Sequence, residues 1–240
     1  MTAAETLRGG PIAAAIRHHR LIVVLRRVEP QAALLELAGE LADAGARVFE
    51  VTFDSPTAEA DLATLKACLA ARTDGPFIVG AGTILRRNQL EAARRAGAQF
   101  AVAPLVDVSL VDTAVSEHLP FIPGAFTPSE VHTAWAAGAT FVKLFPASAV
   151  GPSFVRELRG PFPDAELIPT GGIDVSNARQ YLDAGAAAIG VGGALVRADA
   201  SGRRALVEAI RADVAAVTTP PAAEPLDADA PEADPEAVPA

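Results

Sequence analysis

At 240 residues, half of them hydrophobic, the chain can bury one large core or two small ones, and it contains no apolar run of the ~18 residues that a membrane span needs. The formal charge of −9 is concentrated at the end: residues 218–240 hold six acids, six prolines and no base, which leaves −3 for residues 1–217. With no basic, aromatic-rich patch and one cysteine, Cys68, the composition argues against nucleic-acid binding, internal disulfides and cysteine metal clusters.

Residues 1–10 read as a flexible lead-in. The apolar segment that follows is short and has basic residues after it rather than before, unlike a secretory signal, so a cytoplasmic protein is expected. A helix over roughly 11–19 precedes the first strand. Beyond it, short apolar runs at 21–25, 47–53, 77–80, 99–102, 120–122, 140–144, 166–169 and 187–191 predict strands. Ala/Leu-rich segments of helical period at 31–44, 57–72, 88–96, 107–117, 129–137, 152–159, 176–184 and 202–217 predict helices. Several of these helices end in "AGA", with glycine placed to form the left-handed cap that returns the chain to the next strand.

Near-continuous apolar strands separated by helices imply parallel strands buried on both faces. Eight such units predict an α/β fold, a closed (β/α)8 TIM barrel over residues 11–217, with an open doubly wound sheet as the alternative. No Gly-x-Gly-x-x-Gly fingerprint follows the first strand, which counts against a dinucleotide cofactor. Residues 218–240 carry too little apolar surface to offset chain entropy and read as a disordered acidic Pro/Ala tail. The four histidines show no metal-ligand spacing, so no metal is expected.

Barrel chemistry collects at the carboxyl ends of the strands. Taken in order, those ends carry Arg26, then Glu50 and Thr52, then Thr83, Pro104, Thr127 and Lys143. "PTGG" with Gly171 and Gly172 and "GVGG" with Gly192 and Gly193 follow. Lys143 stands inside the apolar run "TFVKLF", where alternation puts Phe141, Lys143 and Phe145 on one face. A strand-end lysine can snorkel to water. Held in a barrel it loses hydration instead, its pKa falls, and the free amine can attack a carbonyl. Glu50 and Lys143 could form a plain interior ion pair, but such pairs are often no more stabilising than packed apolar residues. A carboxylate and an amine facing each other from separate strands therefore point to a site. The paired glycines expose backbone N–H groups after the last two strands, where barrels hold phosphate; two tight turns that need glycine are the plainer reading.

The motifs "GARVFEVTFDSP", "VGAGTIL", "PGAFTPSE", "KLFPASAVGPSFVRELRGPFP" and "PTGGI" occur in that order. In them the chain resembles the bacterial 2-keto-3-deoxy-6-phosphogluconate aldolases, grouped with the 4-hydroxy-2-oxoglutarate aldolases, over roughly residues 10–215. The resemblance implies a homotrimer of (β/α)8 barrels that forms pyruvate and an aldehyde from a 2-keto acid by Schiff-base chemistry, without metal or cofactor. It makes Lys143 the Schiff-base residue and Glu50 the general acid/base, and it places Thr83 and Pro104 in the pyruvate pocket. Two positions depart from the pattern. The arginine that holds the substrate carboxylate in members with "E-V-T-L-R-T" is Asp54 here, so that role falls to Arg26, as in members with an arginine after the first strand. The serine of the phosphate loop is Gly193. A 6-phosphogalactonate-type aldolase, another phosphate-binding barrel such as an epimerase or a thiamin-phosphate-synthase-like enzyme, and a catalytically lapsed barrel used as a binding module are the alternatives.

Overall fold

The computed structural model describes residues 1–211. Residues 1–10 are not a loose lead-in. They form helix α1 (Ala3–Gly9), opened by a capping box in which Thr2 N donates to Glu5 Oε2 at 2.6 Å and Glu5 N to Thr2 Oγ1 at 3.2 Å. Leu7 is buried, and the Arg8 guanidinium lies 3.5 Å from the Trp135 ring centroid while donating to the carbonyls of Trp135 and Ala139. The anchor is more than a hundred residues away in sequence, so no local pattern announces it.

The strands are β1 (Leu21–Leu25), β2 (Val48–Thr52), β3 (Ile78–Gly82), β4 (Ala101–Val102), β5 (Phe121–Ile122), β6 (Gly124–Ala125), β7 (Val142–Leu144), β8 (Leu167–Pro169) and β9 (Ile189–Val191). Every pairing between them is parallel. Six run in the order β5-β4-β3-β2-β1-β9 and three in the order β6-β7-β8. These two arcs are one curled sheet. β5 and β6 are successive pieces of one barrel strand interrupted at Pro123, which lacks the N–H a continuous ladder needs. The other seam is joined by the Thr170–Gly190 bridge and by Ala187 N donating to Leu167 O at 2.9 Å. The sequence expectation of a barrel holds, with its fifth strand broken in two.

Strand alternation sorts the apolar residues into two cores. Leu21, Val23, Phe49, Val51 and Val79 point outward against Leu34, Leu37, Leu62, Leu65 and Leu90 of the helices. Ile22, Val48, Ile78, Phe100, Phe141 and Ile168 fill the barrel interior, together with Ala13 and Ile16 of helix α2 (Pro11–His19). Helix α2 thus plugs the amino-terminal end of the barrel, where the strands begin, and leaves the carboxyl end open for polar groups.

The connecting helices follow the prediction within a few residues, and a short helix, α3 (Gly193–Arg197), was not expected. It follows β9 and precedes the last described helix, α4 (Ala200–Arg211). The remainder of the helix predicted to 217, and the acidic tail, lie outside the described residues. Among the described residues no helix is long and apolar enough to cross a membrane.

Candidate active site

The inward positions of β2 run Val48, Glu50, Thr52, and Lys143 of β7 shares its face with Phe141 and Phe145, the residues that flank the strand. Hence the apolar floor of the barrel gives way to Glu50 and Lys143 one step nearer the open end. Both are almost fully enclosed, Glu50 at 2 % and Lys143 at 3 % exposure. Burial raises the Glu50 carboxyl above its ordinary range, and the opposing charges of Lys143 and Arg26 only partly offset this. Burial likewise lowers the Lys143 amine, against the pull of Glu50 and with the push of Arg26. Desolvation dominates on both sides, so the pair is driven toward an acid and a free amine. Lys143 Nζ also lies 5.1 Å from the centre of the Phe145 ring. Glu50 Oε1 is buried with no hydrogen-bond partner among the described residues.

Room for this carboxyl depends on a glycine. A Cβ at Gly82, beside Thr52 in the β2–β3 register, would overlap the Glu50 carboxylate. The next residue, Thr83, has φ +57, a left-handed conformation rare for a β-branched side chain. Its hydroxyl accepts a hydrogen bond from Arg26 Nη2 at 3.3 Å. Arg26 and Lys143 line one cavity of about 480 Å³, together with Phe145, Thr170 and the two glycine pairs Gly171–Gly172 and Gly192–Gly193. Gly171 and Gly172 have φ +96 and +71, which side chains rarely adopt, so these glycines are required by the backbone as well as leaving amides bare.

The other expected residues are distributed less uniformly. Thr52 is buried and its hydroxyl donates to Leu25 O at 3.4 Å, tying β2 to β1. Pro104 lies behind Gly124, where a Cβ would collide with the proline carbonyl. Thr127 is exposed and does not line the cavity. Its hydroxyl caps the helix Pro128–Ala136, accepting from Glu130 N at 3.3 Å and donating to Glu130 Oε2 at 2.9 Å. Thr127, one of the strand-end residues singled out in the sequence, thus also opens a helix through a capping box. Asp54 is engaged by Arg27, with Nε to Oδ2 at 3.2 Å, and Arg27 also donates to the Asp54 carbonyl at 3.1 Å.

Among the cavity residues that the sequence reading did not single out are Thr170 and Arg197. Thr170 is 8 % exposed and its hydroxyl donates to Ile168 O at 3.3 Å. Its place two residues after the inward Ile168 was a period-two signal that could have found it. Arg197 had no such signal, because it reaches the cavity from the unpredicted helix α3.

Residues 12–211 match the family described as KDPG and KHG aldolase. The chain is 34% identical over 190 residues to 2-dehydro-3-deoxy-6-phosphogalactonate aldolase of Escherichia coli K12, covering 79% of this chain and 90% of that one. Among solved structures, one described as native KDPGal superposes with a TM-score of 0.73 at 33% identity, over 81% of this chain and 96% of the other. KDPG aldolase of Legionella pneumophila, with pyruvate captured at low pH as a covalent carbinolamine, superposes with a TM-score of 0.73 at 28% identity, over 85% and 98%.

Proposed function

Because the chain belongs to the KDPG and KHG aldolase family and is thus a Schiff-base carbon–carbon lyase, we propose that Lys143 and Glu50 are its catalytic pair and a phosphorylated 2-keto-3-deoxy sugar acid its substrate. The observation that carries this reading is the enclosed amine and carboxyl on β7 and β2, each driven by burial toward its neutral form beside one cavity.

Lys143 Nζ attacks the C2 ketone, and loss of water from the carbinolamine gives an iminium that withdraws electrons from C3. Glu50, neutral when the substrate arrives, gives its proton to the departing carbinolamine hydroxyl; the carboxylate so formed, acting through a water, takes the C4 hydroxyl proton as the C3–C4 bond breaks, which releases the aldehyde and leaves an enamine. Protonation at C3 and hydrolysis then give pyruvate and the free lysine. Arg26 holds the C1 carboxylate by a charge-assisted contact, with Thr83 beside it. The phosphate lies against the bare amides of Gly171, Gly172, Gly192 and Gly193. The Escherichia coli relative and the KDPGal structure favour the 6-phosphogalactonate compound as a second reading of the substrate. Cleavage of the two phosphorylated acids and of 4-hydroxy-2-oxoglutarate, side by side, separates these readings.

A homotrimer in the cytoplasm completes the proposal. Leu85, Leu105 and Phe126, large apolar side chains left exposed on the loops after β3, β4 and β6, support a subunit interface.

The test is borohydride reduction in the presence of pyruvate, with the adduct mapped by mass spectrometry. The wild type should be labelled at Lys143 and Lys143→Ala not at all; labelling at Lys66, the other lysine of the chain, would overturn the assignment. With the amine pKa lowered by burial, labelling should reach half its maximum at a pH well below the ordinary lysine value of about 10.4.

A further inference from the structure

The loop after β9 has glycine, Gly193, where a side-chain donor to the phosphate is expected, yet it is not without a side chain. Arg197 lines the same cavity as Lys143 and the glycine pairs. It stands four residues beyond Gly193 in α3, on the same face of the helix, and its guanidinium rests on that glycine. A Cβ added at Gly193 would stand 2.8 Å from Arg197 Nη1 and 3.4 Å from Cζ. A side chain at 193 and the guanidinium in its present place therefore exclude each other.

The rest of the cavity leaves this cation uncommitted. Among the described residues Arg197 makes no hydrogen bond or ion pair. The one acidic residue of the cavity lining, Asp174, makes no ion pair with it, and the Asp174 Oδ1 oxygen accepts from Ser176 N at 2.8 Å and Ser176 Oγ at 2.5 Å. The other cavity arginine, Arg26, leans across β2 to Thr83 after β3, whereas Arg197 sits on the opposite side of β1, beyond β9. A substrate with a carboxylate at one end and a phosphate at the other would thus meet one guanidinium at each end.

We infer that Arg197 is the side-chain anion donor of the glycine cradle, replacing the hydroxyl that Gly193 lacks and selecting phosphorylated substrates over unphosphorylated ones. This rests on the aldolase reading above and deepens it. A guanidinium can offer two parallel N–H groups to a phosphate, where a hydroxyl offers one. It also adds a charge whose effect fades with salt, since Arg197 is exposed.

The experiment compares wild type, Arg197→Ala and Arg197→Ala/Gly193→Ser on 2-keto-3-deoxy-6-phosphogluconate or its galactonate epimer, whichever is cleaved faster, and on 4-hydroxy-2-oxoglutarate. Inorganic phosphate serves as a competitive inhibitor. Arg197→Ala should lower the ratio of kcat/KM for the phosphorylated acid over the unphosphorylated one by about tenfold or more, through KM. It should weaken inhibition by inorganic phosphate by a similar factor and flatten the rise of KM with salt. Gly193→Ser in the same background should recover part of the ratio. An unchanged ratio, or a fall shared equally by both substrates, overturns the inference. Pyruvate trapping on Lys143 keeps the two readings apart. A wild type that does not trap pyruvate defeats the aldolase assignment, while trapping with an unaltered substrate ratio in Arg197→Ala defeats only the role of Arg197.

Discussion

An amine that attacks a ketone must be uncharged when the substrate arrives, and Lys143 meets that condition first through its burial. Burial is the largest cause of its lowered pKa, with Arg26 adding to it and Glu50 working against it. The same enclosure raises Glu50, so each residue is held near the form in which it is useful. In stability the two shifts have opposite signs. Between the lowered pKa of Lys143 and its ordinary value the unfolded chain binds the extra proton, so the lysine's contribution rises with pH. Between the ordinary and raised values of Glu50 the folded chain binds it, so the glutamate's contribution falls. Glu50→Gln preserves the shape and removes proton transfer. Turnover should fall by about 10²–10⁴-fold, while pyruvate trapping on Lys143 persists; activity within a few-fold of wild type would assign the proton transfers elsewhere. Arg26→Ala should cost ~1.5–3 kcal/mol of carboxylate binding, or about ten- to hundredfold in kcat/KM. All 2-keto acid substrates should suffer alike, since all carry the carboxylate. Asp54→Ala should be milder, because Asp54 is occupied with Arg27; a larger loss there than at Arg26 would reverse the assignment.

At the scale of elements, the site depends on close approach between neighbouring strands. β3 reads "IVGAG", and its last glycine is small because the Glu50 side chain of β2 crosses it. Gly82→Ala should therefore act on chemistry through Glu50. Turnover should fall toward the level of Glu50→Gln while trapped pyruvate remains near wild type. If trapping and turnover drop together, the substitution has disturbed the barrel and not the carboxyl alone. The left-handed Thr83 beside it is the kind of local strain, of order 1–3 kcal/mol, that persists where surrounding structure holds a functional group in place. At the other end of the strands, Ile16 and Ala13 of α2 close the interior, so the barrel opens only toward the glycine loops.

For the whole molecule, the described strands close their ring, and helices pack around them through the described residues. Residues 218–240 contribute six acids and little that could enter a core. Removing them should leave the thermal midpoint, the sedimentation coefficient corrected for mass, and kcat/KM within experimental scatter of the full chain. Loss of the assembly or of activity in the truncated protein would show that the acidic segment docks on the barrel.

The sequence by itself determined the barrel, because strand period, helix period and glycine caps are local properties repeated along the chain. It also determined the inward direction of Glu50, Thr52 and Lys143, since alternation alone sorts a strand's two faces. Where particular contacts rather than repeated periods make the decision, the sequence reading was incomplete. Helix α1 is held by Trp135 and Ala139, and the fifth strand is cut at Pro123. Thr127 also caps its own helix start. Gly193 read as a lost donor until the fold set Arg197 against it. Tertiary structure decided the docking of α1, whose partners stand more than a hundred residues away; the break at Pro123, the Thr127 cap and the Arg197–Gly193 contact are local, and there the surrounding fold selected one of several arrangements that the spacing allowed.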